Sequence, residues 1–230
     1  SIQQILENSQ YLKVLHVPNC SINTKGMEKI GKGLSNHNKK TKSITKTNAI
    51  QYWNFADNQI EYAENFFNAL LSYQIDTKKK FPIFYLSFSN CNIQGMDSFF
   101  NALKKNRDLL SIKYLYFNGN NVSDNDLRAF QEYLENKKSE GCELVKLGIA
   151  GDGPELKKTF EKLLDPNFQI TELSLAGTRI VRDSQSYYQA STGAKAIIDY
   201  ISQTEILEIL DLSNTNIEKE DLVLILEKYN

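Results

Sequence analysis

The chain has 230 residues, of which 41% are hydrophobic and 24% charged, and its 27 basic and 28 acidic side chains leave a net charge of −1. The length fits one large domain or two small ones. The apolar fraction lies a little below that of an average globular domain and far above that of a disordered chain. The balanced charge disfavours a strongly basic nucleic-acid binder and an acidic solvating tail. Cys20, Cys91 and Cys142 cannot all pair among themselves and show no C-x-x-C spacing, which disfavours a disulfide scaffold and a zinc ribbon. No apolar run approaches the ~18 residues of a membrane span. No basic start leads into an apolar run, so no signal peptide is expected. The chain starts at Ser1, which reads as a processed or excised terminus.

In chain order, Ile2, Ile5 and Leu6 come first and read as one face of a short helix with no strand before it. Then follows a template: Leu12, Leu15, Val17, Cys20 and Ile22, spaced as apolar, two spacers, apolar, one spacer, apolar, two spacers, a small polar residue, one spacer, apolar. The spacing returns without gaps as Ile50, Trp53, Phe55, Asn58 and Ile60. It returns again as Ile83, Leu86, Phe88, Cys91 and Ile93, and as Ile112, Leu115, Phe117, Asn120 and Val122. Leu144, Leu147, Ile149 and Asp152 follow, with Pro154 closing. The last two are Ile170, Leu173, Leu175, Thr178 and Ile180, and Leu207, Leu210, Leu212, Thr215 and Ile217. Between the second apolar positions the steps are 38, 33, 29, 32, 26 and 37 residues.

After each template the period changes from 2 to 3.6. Met27, Ile30 and Leu34 form a helical stripe; so do Phe66, Phe67, Leu70 and Leu71, then Met96, Phe99, Phe100 and Leu103, then Leu127, Phe130, Tyr133 and Leu134. Leu156, Phe160, Leu163 and Leu164 form a fifth, and Ala194, Ile197, Ile198 and Ile201 a sixth. Ser123 to Asp126 looks like a capping box. Strand followed by helix, repeated, predicts a parallel β/α solenoid.

The template resembles the leucine-rich repeat, L-x-x-L-x-L-x-x-N/C-x-L, over nearly the whole chain. The long repeats with their helices resemble the ribonuclease-inhibitor-like subtype. The resemblance implies an α/β horseshoe of about seven repeats, with a parallel sheet on the concave face and helices on the convex face, as one domain over residues 1–230. Residues 1–10 would be an N-terminal helix or partial repeat, and 219–230 a terminal helix. Either the chain is a fragment of a longer protein or a short array capped by that helix. The Asn/Cys/Thr position is expected to point inward, so Cys20 and Cys91 are expected to be buried thiols. Trp53, at a core position, is expected to pack.

Three stretches break the period: Ser35 to Asn48, Asp76 to Lys80, and Val181 to Ala190. They read as surface loops on the solenoid. Lysines cluster at helix C-termini, such as Lys104 and Lys105, where the helix dipole favours cations.

The spacers beside each central strand residue should point out of the open face of the sheet. They place Tyr52, Tyr85 and Tyr114 in one column, with Tyr116 beside the last, and a polar strip of Asn54, Ser87 and Asn118 next to it. Strands ~4.8 Å apart would join these rings into an aromatic strip. Aromatic rings with adaptable polar neighbours make a protein-binding surface, and tyrosine stacking across neighbouring strands is the competing explanation. With only His16 and His37 present, a Cys–His or Ser–His centre lacks its parts. There is no Gly-rich phosphate loop, H-E-x-x-H or G-x-S-x-G.

The expectation is therefore a non-catalytic scaffold that binds a protein partner. It needs no cofactor or metal, binds no nucleic acid and is a monomer. A second reading is a recognition or regulatory domain of a larger enzyme of ubiquitin-ligase or GTPase-activator type, the latter using Arg179 and Arg182. Lysine far outnumbers arginine and asparagine is abundant, which is similar to repeat proteins of protozoa or effectors secreted by intracellular bacteria such as Legionella. Free cysteines point to a reducing compartment, the producer's cytosol or a host's.

Overall fold

A computed structural model describes residues 1–9, 11–40, 50–77, 81–105, 110–120, 122–137, 146–148, 164, 170–177 and 192–229. In chain order these form α1 (Ile2–Asn8), β1 (Val14–His16), α2 (Thr24–Lys40), β2 (Tyr52–Asn54), α3 (Glu64–Thr77), β3 (Phe81–Ser87), α4 (Asp97–Lys105), β4 (Leu110–Tyr116), α5 (Asp124–Lys137), β5 (Lys146–Gly148), β6 (Glu172–Ser174), α6 (Thr192–Gln203), β7 (Ile209–Asp211) and α7 (Lys219–Tyr229). The helix expected from Leu156 to Leu164 lies outside the described residues except for Leu164, which is buried. The stretch 181–190, Cys142, Arg179 and Arg182 also lie outside them.

The seven strands form one parallel sheet whose spatial order is the chain order. Parallel neighbours need a crossover between them, and among the described residues α2, α3, α4, α5 and α6 lie in these crossovers. The register carries Leu15 to Trp53, Leu86, Leu115, Leu147, Leu173 and Leu210 in a single row. Steps of 26 to 38 residues thus all become one strand spacing, and the segments between strands absorb the difference. This is an α/β repeat fold.

The strand and helix stripes meet in one core. Trp53, Phe55, Phe66, Phe88 and Phe99 are almost fully buried there. Phe55, Phe88 and Phe117 stack across three repeats at 5.1 and 5.8 Å, and Phe67 stacks on Phe99 at 4.1 Å. Each such pair adds about 0.5–1.5 kcal/mol beyond its buried area.

Among the described residues, the turns after six of the strands share one geometry. The residue four past the central position, Asn19, Asp57, Asn90, Gly119, Gly177 or Asn214, has φ between +50° and +72°. Only Gly, Asn and Asp reach that region at small cost, which explains the composition of this position.

Next comes the inward polar position. Asn58 accepts the N–H groups of Cys20 and Ile22 at 3.0 and 2.9 Å and donates to the Val17 and Phe55 carbonyls. Asn120 does the same one repeat pair later, accepting from Cys91 and Ile93 and donating to Phe88 and Phe117. Cys91 donates its thiol to the Phe55 carbonyl at 3.0 Å. All three side chains reach back to the preceding repeat. Among the described residues no strand precedes β1, and the Cys20 thiol turns to its own Pro18 carbonyl and is exposed. The expectation of two buried thiols holds for Cys91 and is corrected for Cys20.

A second correction concerns the stretch after Leu34. The helix α2 runs on through Ser35 to Lys40, because nothing there breaks it: no Pro and no Gly follow Gly33 before Lys40. Likewise α3 includes Asp76 and Thr77. Near the start of α5, Ser123 and Asp126 exchange the reciprocal bonds of a capping box, at 2.8 and 3.3 Å, and Asp126 also accepts the Asp97 N–H at the start of α4.

The two ends of the sheet differ. At β1 the helix α1, closed by its own Ser1–Gln4 capping box, buries Leu6 against α2. Gly33 permits this: a Cβ there would sit 2.9 Å from the Gln3 carbonyl oxygen. Gly31 does the same for α3, since a Cβ would lie 2.8 Å from the Asn65 backbone. At β7 the core positions Leu210 and Leu212 are only partly covered, and Ile209, Leu222, Val223, Leu224 and Leu226 are exposed.

Candidate partner-binding face

The side chains that alternate with the core row face away from the helices. Tyr52 stacks on Tyr85 with ring centroids 4.2 Å apart and planes 9° from parallel. This follows from register, which sets the two residues side by side on β2 and β3. Tyr85 continues diagonally to Tyr116 at 5.0 Å. Its register partner Tyr114 turns the other way and meets Phe84 edge-on at 4.9 Å. The rings are contiguous, but the stack runs Tyr52–Tyr85–Tyr116 and not down the single column the spacing suggests. His16 extends it at 6.1 Å from Tyr52.

Phe84 escapes a reading at fixed offsets because it stands two before the central residue. It is half exposed, and the Lys113 ammonium lies 5.5 Å from its ring and 5.6 Å from Tyr114. The signal in the sequence is the aromatic pair Phe84–Tyr85 directly across from Lys113–Tyr114. Cation–π contacts of this kind contribute about 0.5–1 kcal/mol when exposed.

Burial drives the Tyr85 phenol up to about 12, with the neighbouring Tyr52 and Tyr116 adding to the shift. It stays a neutral hydroxyl at physiological pH, able both to donate and to accept.

The polar strip is built differently from the tyrosines. Asn54 is buried, accepts the Ala56 N–H at 2.9 Å and contacts His16 Nδ1 at 3.3 Å. Ser87 is 2% exposed and accepts the Ser89 N–H at 3.4 Å. The same bond closes the ends of β6 and β7, where Ser174 accepts from Ala176 and Asp211 from Ser213. The last residue of these strands is polar because its side chain caps the N–H two residues on, a local alternative to a ladder bond. Asn54 and Ser87 therefore act at the strand ends, where their side chains hold the turn. Asn118 is half-buried and accepts the Ser89 hydroxyl at 2.6 Å. The Ser213 side chain and N–H hold the Asp211 carboxyl below the usual carboxylate range, against the opposing effect of burial.

Among the described residues, no group of three or more His, Cys, Asp or Glu is placed to hold a metal ion. Burial raises the Cys91 thiol to about 11, which keeps it protonated and unreactive. No helix among the described residues is long and apolar enough to cross a membrane.

Residues 8–31 match the leucine-rich repeat family profile. The match spans β1 and the first part of α2. It supports reading the chain as a leucine-rich repeat protein, and domains of this family generally mediate protein–protein interaction and are typically non-catalytic scaffolds. No curated protein matches the chain.

Proposed function

We propose that the chain is a non-catalytic scaffold that binds a partner protein on the open face of its sheet. In this reading seven repeats of the ribonuclease-inhibitor-like subtype curve into a horseshoe with that face inside. Tyr52, Tyr85, Tyr114 and Tyr116 make the contact, Phe84 and Asn118 flank it, and Asn54 and Ser87 hold the strand ends that present it. The observation that carries the reading is the continuous ring surface Tyr52–Tyr85–Tyr116, joined to Tyr114–Phe84. Tyrosine offers large contact area with few rotatable bonds and a polar tip, which suits a binding anchor. The rings sit on strands, so their geometry is set before binding and little ordering entropy is lost. The free thiols of Cys20 and Cys91 fit a reducing compartment, the producer's cytosol or a host's.

The test is affinity capture with the wild-type chain and with Tyr85→Ala and Tyr116→Ala as baits, read by mass spectrometry. Each variant should keep the wild-type circular dichroism. Each should lose by tenfold or more the proteins that the wild type retains, the loss expected of an anchor worth at least ~1.4 kcal/mol. Equal capture by all three baits contradicts the proposal.

A further inference from the structure

Charge is divided unevenly among the repeats. The template stretches 12–18, 50–56, 83–89, 112–118 and 144–150 carry Lys13, Lys113 and Lys146 and no carboxylate. The stretches 170–176 and 207–213 carry Glu172, Glu208 and Asp211 and no lysine or arginine. All seven strands pair in one parallel sheet, so the general scarcity of Asp and Glu in strands does not account for the division. The near-zero net charge of the whole chain conceals it. The four tyrosines of the open face, Tyr52, Tyr85, Tyr114 and Tyr116, all lie in the cationic part.

Lys113 stands within the ring surface. Its side chain is exposed, its ammonium lies 5.5 and 5.6 Å from the Phe84 and Tyr114 rings, and among the described residues it has no carboxylate partner. Lys146 holds the register place of a next tyrosine, since the pairing carries Tyr52 to Tyr85, Tyr114 and Lys146. Lys13, two before its central residue as Lys113 is, and the exposed His16 stand on the far side of the strip. The cations and rings together suit an anion with apolar surface beside it. A nucleobase would need an open ring face, but Tyr52 and Tyr85 already stack on each other at 4.2 Å, and Tyr85 meets Tyr116 at 5.0 Å. A carboxylate needs only donors, which the ammonium and the phenol hydroxyls are.

We propose that the partner presents an acidic segment to this part of the open face, with a carboxylate on Lys113 and an apolar or aromatic side chain on the rings beside it. The inference rests on the open face being the binding surface and adds what the partner carries. The Lys113 ammonium is flanked by two rings, so an acidic residue next to an apolar one is its complement. Docking there breaks no ion pair of Lys113 among the described residues. Glu172, Glu208 and Asp211 disfavour the same segment over β6 and β7, which fixes where along the sheet it lies. A basic segment would be placed the other way round, away from the tyrosines.

The test is selection of a random 12-residue peptide library, displayed on phage, against the immobilised 230-residue chain, with Lys113→Glu and Tyr85→Ala as parallel baits. Peptides enriched by the wild type should be rich in Asp and Glu next to aromatic or aliphatic residues. Made synthetically, they should bind Lys113→Glu about tenfold more weakly or worse, because like charges brought together oppose binding. Their binding to the wild type should weaken in 0.5 M salt, where the Debye length shrinks to a few ångströms. Lys113→Glu as bait should enrich basic peptides instead. Lys113 is exposed, and Lys113→Gln, which should weaken binding without inverting the preference, serves as second variant should the reversal lose its circular dichroism. Enriched peptides that bind Lys113→Glu as well as the wild type but fail on Tyr85→Ala overturn this proposal and leave the open-face reading standing. Peptides indifferent to both substitutions overturn both. A wild type that enriches no peptide, or only neutral or basic ones, overturns the proposal, as does tighter binding of a 16-nucleotide oligothymidylate than of any enriched peptide.

Discussion

The first and last repeats carry the same template, and two of its core positions are buried to different degrees. Leu15 and Ile22 are buried, Val17 is partly so, β1 pairs with β2, and α1 packs on α2. At Leu210, Leu212 and Ile217 the same positions pack against the core yet stay partly open. The repeat is therefore not a buried unit in itself. It is a half-interface whose burial depends on its neighbour, as expected of a solenoid with nearest-neighbour energetics. The Asn/Cys/Thr position also differs between interior and terminal repeats. Asn58, Cys91 and Asn120 reach back into the repeat before them, while the Cys20 thiol bonds its own Pro18 carbonyl and Thr215 its own Leu212 carbonyl at 2.7 Å.

That difference can be broken or sharpened by substitution. Asn120→Ala leaves two buried N–H groups and two carbonyls without their partner, at roughly 1–3 kcal/mol for each group left unsatisfied. We expect urea unfolding to show a loss of at least ~3 kcal/mol. Thr215→Ala, at the same template position in the last repeat, should cost under ~1 kcal/mol. Equal losses would erase the distinction between interior and terminal repeats.

Next in size is a pH effect. The Cys91 pKa rises from 9.0 to about 11 on folding. A raised folded value means that this stability is fully present below pH 9 and is lost as pH climbs through 11. Two pKa units correspond to about 2–3 kcal/mol. Tyr85 contributes in the same direction at higher pH, so the readout is the difference between wild type and Cys91→Ala, whose stability should fall less between pH 8.5 and 11. Thiol labelling with peptide-level mass spectrometry should agree, with Cys20 modified rapidly at pH 8 and Cys91 only under denaturing conditions.

Gly33→Ala should cost about 1–2 kcal/mol, the scale of overpacking, because its Cβ would press on the Gln3 backbone. Hydrogen exchange should localise the loss to α1 and its seat on α2. The smallest effect belongs at the other end: Leu222→Ser, on an exposed position, should leave monomer stability within ~0.5 kcal/mol.

The single row of core positions and the helical stripes were legible in the sequence because both follow directly from periods of 2 and 3.6. Side-chain direction at the strand ends was not. Asn54 and Ser87 alternate onto the open face by count, yet each bends to cap its own turn, a local bond that periodicity does not register. The choice of Tyr116 over Tyr114 in the stack is a rotamer and diagonal-packing outcome. Phe84 lies off the counted columns and enters the surface only through the ring beside it. The Cys20 thiol turns to its own Pro18 carbonyl, which the template spacing does not encode.

Hydrogen exchange on the complex with a captured partner tests the function most directly. The account predicts protection in peptides covering 50–56, 83–89 and 112–118, on the strands that carry the tyrosines, with the helices unchanged. Protection confined to α3, α4 and α5 would contradict it.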